Sequence, residues 1–300
     1  ALEGLAEVDT IVFDKTGTLT VGHPVMQSMH AEGMEEAELL RLAAAVERRV
    51  IHPLARAVVR AAGDEIPEVE GLQSYPGKGA EGTVEGKRVR VGSPAWLGRV
   101  PPPGVGTTIA VEVEGGGRGF LRVTDPARPN AAATVAGLKE RGLRVVLLSG
   151  DQEAEAKRVG ESLGISEVFG GVDPAGKIAK IQQLRAEGRK VLMVGDGVND
   201  APALAAATVG VAMGSGADAA MEAAAVTLQR SDPLVLLEAI DVARATLKNV
   251  RQNLGAAFGY NSLALPLAAL GMLQPAIAGA LMALSSVTVV GNALRLRGKG

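Results

Sequence analysis

An aspartate closes an apolar run near the start of the chain. Asp9-Thr10-Ile11-Val12-Phe13 is followed by Asp14-Lys15-Thr16-Gly17-Thr18-Leu19-Thr20. The run reads as a buried strand. Asp14 then stands at a strand's carboxyl end, where open α/β sheets hold their ligands. A carboxylate there can attack a phosphoryl group and carry it as an acyl phosphate. Lys15 and the loop amides can offset the charge, and Gly17 lets the backbone turn tightly. Two more aspartates, Asp196 and Asp200, lie beyond a second apolar run, Lys190 to Val194. Three carboxylates beside one phosphate repel unless a divalent cation sits among them. Mg²⁺ suits, because it takes oxygen ligands and bridges to phosphate.

The elements that must position these groups alternate. A helix with Val135 and Leu138 leads to the strand Arg144 to Leu148, which ends in Ser149-Gly150-Asp151. Helices follow at Glu153–Leu163 and Pro174–Leu184, the second carrying Lys177, and the late strands are Thr208–Ala212 and Ala225–Leu228. Strands alternating with helices imply crossovers and a parallel sheet. Between Thr20 and Thr124-Asp125-Pro126 lies a domain-sized insertion. It has helices at Glu35–Glu47 and after His52-Pro53, a glycine-rich turn at Gly77–Gly82, and strands at Val84–Val91, Thr107–Val113 and Gly119–Val123. From Leu254 to Leu273, and again from Pro275 to Leu294, no residue is charged. Each stretch is long enough to span a bilayer. Lys248 and Arg251 before them, and Arg295, Arg297 and Lys299 after them, place both ends in the cytoplasm.

Asp-Lys-Thr-Gly-Thr-Leu-Thr resembles the phosphorylation motif of P-type ion-pumping ATPases, within the haloacid-dehalogenase superfamily. Many phosphatases of that superfamily place a second Asp, an acid and base, where this chain has Thr16. Thr is a poor proton shuttle, so an aspartyl phosphate here should persist. Gly195-Asp196-Gly197-Val198-Asn199-Asp200-Ala201-Pro202 resembles the family's hinge motif. The resemblance implies Mg²⁺ on Asp14, Asp196 and the Thr16 carbonyl, with Asn199 and Asp200 beside it. Ser149-Gly150-Asp151 occupies the place of the family's Thr-Gly-Asp, and Ser149 keeps the hydroxyl donor. Lys177 would neutralise the phosphate.

His52-Pro53, with Glu47 at the family spacing and the Gly-x-Gly of Gly77 and Gly79, resembles the nucleotide-domain signature of the heavy-metal (type IB) subclass. ATP is the implied ligand. Two departures stand out: Val50-Ile51 replaces the usual Ser-Glu, and Ser93 replaces an Asn. Tyr260-Asn261 in the first span, and Met282 with Ser285-Ser286 in the second, resemble the copper-transporting branch. A thioether suits soft Cu(I), and no Asp or Glu lies in the spans, which argues against a zinc or cadmium pump.

The expected fold is α/β. A Rossmann-like haloacid-dehalogenase phosphorylation domain (1–21 and 125–245) carries an inserted α+β nucleotide-binding domain (22–124), and two transmembrane helices follow within 246–300. The expected activity is ATP-driven Cu(I) export by a multi-pass protein of the cell membrane, with its catalytic domains in the cytoplasm. Family order adds a copper chaperone as donor, membrane lipid, and a preceding part with an actuator domain and further membrane helices. Ala1–Leu5, without an initiator Met or signal peptide, reads as the interior of a longer protein. The rivals are a soluble phosphatase of the same superfamily, a regulatory fragment that no longer catalyses, and a pump for silver.

Composition sets outer bounds. With 31 basic and 33 acidic residues the net charge is -2, which gives no reason to expect a nucleic-acid partner. No cysteine is present, so disulfides and thiolate metal sites within the chain are excluded. The 47% hydrophobic content is high for a wholly soluble chain.

Overall fold

The computed structural model describes all residues except 197–199, 215–217, 231, 272–273 and 296–300. Two compact units form. One comprises Ala1–Phe13, Ala132–Val146 and Pro174–Gly300; the other comprises Asp14–Ala131 and Leu147–Asp173.

The chain opens with α1 (Leu2–Glu7) and β1 (Thr10–Asp14). All five residues of β1 are buried, and Ile11, Val12 and Phe13 are wholly enclosed. Side chains of that size contribute about 1.5–3 kcal/mol each when fully buried. The run is continuous rather than alternating because helices cover both faces of a parallel sheet. Its partner strands come after the insertion, which holds β2 (Val25–Glu32), α2 (Glu36–Glu47), α3 (Pro53–Ala62), β3 (Val69–Tyr75), β4 (Gly79–Val84), β5 (Lys87–Gly92), β6 (Thr107–Val113) and β7 (Arg118–Thr124). Then follow α4 (Ala131–Glu140), β8 (Arg144–Leu148), α5 (Glu153–Leu163), β9 (Glu167–Phe169), α6 (Pro174–Ala186), β10 (Val191–Gly195), α7 (Ala201–Ala206), β11 (Val209–Met213), α8 (Asp218–Ala223) and β12 (Val226–Leu228).

The parallel sheet has the order β12-β11-β10-β1-β8-β9. The chain builds outward from β1 to β9, then returns to lay β10 against the other edge of β1. That reversal is the topological switch point where such sheets bind ligands. The register pairs Phe13 with Val194, so β1 and β10 end side by side.

The insertion forms a separate antiparallel sheet, β2-β7-β6-β5-β4-β3. Helices α2 and α3 cover one face, where Leu39, Leu42, Val46 and Val58 pack with Val89, Val91, Ile109 and Leu121. Charged residues occupy alternate positions of the strands, and ion pairs such as Arg118–Glu32 (2.6 Å) and Arg90–Glu112 (3.2 Å) cross between neighbours. This is the pattern of a sheet with one wet face.

Several elements differ from the sequence expectation. Val84–Val91 is not one strand but the close of a hairpin, because Glu85 (φ 51°) and Gly86 (φ 75°) form a two-residue turn with both φ positive. The glycine-rich turn is confined to Pro76–Lys78, and Gly79–Gly82 belongs to β4. The polar strands β2 and β3 were not anticipated. The first expected span is the far end of α9 (Val235–Ala269), a 35-residue helix that starts with Leu236, Ile240 and Ala243 buried in its unit. The second is α10 (Pro275–Leu294), which packs against α9. Among the described residues one helix, Ala276–Leu294, is long and apolar enough to cross a membrane; Leu273, Arg297 and Lys299 lie outside the described residues.

Candidate functional site

Asp14 is the last residue of β1 and is buried, as is Lys15, while Thr16 is exposed. Gly17 takes φ 74°, a conformation that favours glycine, and turns the loop back. Two residues brace that loop. Asp125 takes the Thr20 hydroxyl at 2.5 Å and the Gly22 amide at 2.9 Å. Arg128 donates to the carbonyls of Gly17 (2.6 Å) and Thr18 (3.0 Å). Both were missed as site residues. Asp125-Pro126 carried a signal, but only as a chain break; Arg128 carried none.

Lys15 does not stand free to meet an incoming phosphate. Its Nζ lies 2.5 Å from Asp151, and the Asp151 amide donates to Ser149 Oγ at 3.1 Å. Ser149, Gly150 and Asp151 therefore form a tight turn after β8, with the Ser149 side chain buried. On β10, Gly195 makes room for Asp200: a Cβ there would come 2.8 Å from that of Asp200. Lys177, from the first turn of α6, reaches Asp200 at 2.7 Å, and both side chains are almost fully buried. The contact fixes the direction in which the Lys177 side chain reaches. Asn199 lies outside the described residues.

Asp14, Asp196 and Asp200 each bring one carboxylate oxygen within 4.8 Å of the others. Two of the three are buried, and Asp196 is half-buried. An all-oxygen donor set of this charge fits Mg²⁺ and does not suit a soft metal.

A second site lies wholly inside the insertion. A 420 Å³ cavity is lined by Glu47 and His52 from the helical layer, by the turn Tyr75–Gly79, and by Gly92, Ser93 and Thr107–Ile109. All four residues expected there, Glu47, His52, Gly77 and Gly79, border it. His52 is the N-cap of α3: its Nδ1 accepts from the Leu54 amide at 3.2 Å, and Pro53 follows at the first helical position. Burial pushes the Glu47 carboxyl up to about 7. At Gly79 a Cβ would stand 2.2 Å from the Val91 carbonyl oxygen and 2.9 Å from the Trp96 ring, so no side chain fits. Trp96 is itself held between Tyr75 (centroids 5.1 Å apart) and Arg90 (4.7 Å from the ring centroid). Ile51 is 94% exposed at the cavity's edge, and Ser93 Oγ accepts from the Trp96 amide at 3.3 Å.

Of the residues expected in the two uncharged stretches, Tyr260 and Ser285 are half-buried. Ala278, Leu281, Ser285, Val289 and Asn292 form the half-buried row of α10 packed on α9. Met282, 76% exposed, and Ser286 lie outside that row, as does Asn261 on α9.

The family model for haloacid dehalogenase-like hydrolases matches residues 8–208. A copper-transporting P-type ATPase of Rhizobium leguminosarum bv. viciae is 45% identical over 99% of this chain and 38% of its own length. The crystal structure of a zinc-transporting PIB-type ATPase in the E2.Pi state superposes with a TM-score of 0.84, at 37% identity, over 99% of this chain and 51% of that one. The catalytic domain of the CPx-ATPase CopB-B aligns with 36% identity and a TM-score of 0.67, over 80% of this chain and 92% of that one. The chain thus spans about two-fifths of the length of the curated relatives it matches, 38% and 42% for the first two.

Proposed function

Because the chain belongs to the haloacid dehalogenase-like hydrolases, and among them to the heavy-metal (type IB) P-type ATPases, we propose that it is the ATP-binding and phosphorylation portion of a Cu(I)-exporting pump. The observation that carries this reading is the trio Asp14, Asp196 and Asp200 at the sheet's switch point, with Thr16 rather than a carboxylate two residues after Asp14.

ATP binds in the insertion's cavity, its base and sugar against Glu47 and His52 and its phosphates by the Gly77–Gly79 turn. The Asp14 carboxylate attacks the γ-phosphorus, the bond to the β-phosphate oxygen breaks, and ADP leaves. Lys177 and the Ser149 hydroxyl hold charge on the transferred oxygens. Mg²⁺ held by Asp14, Asp196 and the Thr16 carbonyl supplies charge neutralisation at those oxygens when bound. Water later cleaves the acyl phosphate and releases phosphate. Without an acid at position 16 that hydrolysis is slow, and the intermediate lasts long enough to drive a change of shape.

Copper is favoured over zinc by the ligand chemistry of α9 and α10: a thioether at Met282, hydroxyls, an amide at Asn261, and no carboxylate within either stretch. Silver shares that softness and is the second reading. The missing metal ligands belong to membrane helices outside this chain, and a chaperone delivers the ion.

The test is labelling of the full-length protein with γ-labelled ATP and copper. An acid-stable phosphoprotein that Asp14→Asn abolishes is expected. Fast turnover of small phosphate esters with no trapped label would instead make this a phosphatase.

A further inference from the structure

The face of α9 just before its uncharged stretch carries cations in excess of the acids near them; Asp241, already paired with Arg141, is the acid beside Arg244. Arg244, Lys248 and Arg251 are spaced i, i+4, i+7, within one side of the helix. Arg251 pairs with Glu7 of α1 at 2.8 Å. Arg244 and Lys248 have no hydrogen-bond or ion-pair partner among the described residues. The three line an open 560 Å³ groove between α1 and α9, with Leu247 and Ala6 as its apolar surface. At 1.5 Å per residue, Lys248 sits about 9 Å and Arg251 about 4–5 Å before Leu254. Arg251 thus lies at the edge of the polar headgroup layer, about 5–8 Å per leaflet, Lys248 just outside it, and Arg244, about 15 Å before Leu254, further out on the cytoplasmic side. The Asn249 side chain donates to the Asn292 carbonyl at 2.7 Å, which draws the end of α10 alongside and adds exposed Arg295 at the same level.

We propose that this groove binds the headgroup of an anionic phospholipid in the cytoplasmic leaflet, the phosphate meeting Lys248, with Arg244 adding positive charge on its cytoplasmic side, and the glycerol region lying on Leu247. The proposal rests on reading α9 and α10 as membrane helices. Lipid is chosen over a free anion because the groove joins cationic and apolar surface and adjoins the cytoplasmic end of the uncharged stretch.

The test uses the full-length protein reconstituted in phosphatidylcholine vesicles with increasing phosphatidylglycerol. Labelled phosphatidylglycerol should associate in preference to labelled phosphatidylcholine. One cation near an anionic surface is worth roughly fivefold, so Arg244→Gln with Lys248→Gln should cut that preference about 25-fold. Arg244→Lys with Lys248→Arg should keep it, which separates charge from fold. An unchanged preference in the double Gln variant, or its suppression by millimolar inorganic phosphate, would overturn the lipid assignment. Alkaline extraction distinguishes the two levels: release from the vesicles overturns the membrane reading and this one together, whereas retention without any anionic preference overturns this one alone.

Discussion

The insertion's cavity and the helix pair α9–α10 differ in how completely this chain builds them. The cavity is enclosed by residues 47–109 of a single insertion, and its glycines are forced: a Cβ at Gly79 or Gly92 would meet backbone at 2.2–2.3 Å. Helices α9 and α10 also carry glycines, Gly255, Gly259, Gly279 and Gly291, and a Cβ on any of them would meet nothing within 4 Å. Leu265, Leu270, Met282 and Val287 are likewise open. The cavity is finished where it stands. The helix pair presents open glycines and exposed apolar surface.

The sharpest break in this comparison is chemical. Asp14→Asn should abolish phosphoprotein formation entirely while leaving ATP binding in the insertion intact; loss of both, measured by calorimetric titration, would mean the two sites are not separable. Next, Gly79→Ala should destabilise the insertion by about 3 kcal/mol through the forced clash, read as a lowered melting temperature, whereas Gly259→Ala should leave this chain's stability unchanged or slightly raised. Equal effects would erase the distinction between forced and open glycines.

Glu47 gives a pH signature confined to the finished side. Its folded carboxyl titrates near 7 against 4.5 for the ordinary group. The folded state therefore holds the proton more tightly, and the associated stability is present below about pH 4.5 and lost as pH rises through about 7. At most about 3 kcal/mol is involved. Glu47→Gln should flatten that slope in thermal melts between pH 5 and 8; a slope equal to the unaltered chain's would assign it elsewhere. The smallest effect belongs to His52→Ala. Losing the cap on α3 costs about 1 kcal/mol, and weaker ATP binding should accompany it. On the open side, Met282→Ala should leave melting temperature and nucleotide affinity alone while weakening Cu(I) binding in the full-length protein.

Much of this was legible before any fold was known. Asp14, Asp196, Ser149 and Lys177 each sit at the end of an apolar run or on a helix between two such runs. Continuous buried strands advertise themselves, so the parallel sheet could be read. The antiparallel sheet was harder. β2 and β3 are short of apolar residues and follow no clear alternation, because their outer faces are wet and charged. Glu85-Gly86 concealed a hairpin, since a polar residue at positive φ is unusual and valines lie on both sides of the pair. Arg128 was invisible because its role is to hold backbone carbonyls of a loop more than a hundred residues away.

The order of charged, apolar and glycine residues along the chain determined the chemistry on offer: an aspartate at a strand's end with the chemistry to accept a phosphoryl group, oxygen donors for a hard cation, and two long uncharged stretches. That information is local, because strand ends, helix starts and hydrophobic length follow from neighbouring residues. Tertiary structure alone decided that β10 lies against β1 and so which strand ends adjoin, that Lys15 is held by Asp151, and that Gly79 must lack a side chain. Those facts depend on which surfaces meet, and packing between distant segments leaves no periodic trace in either one.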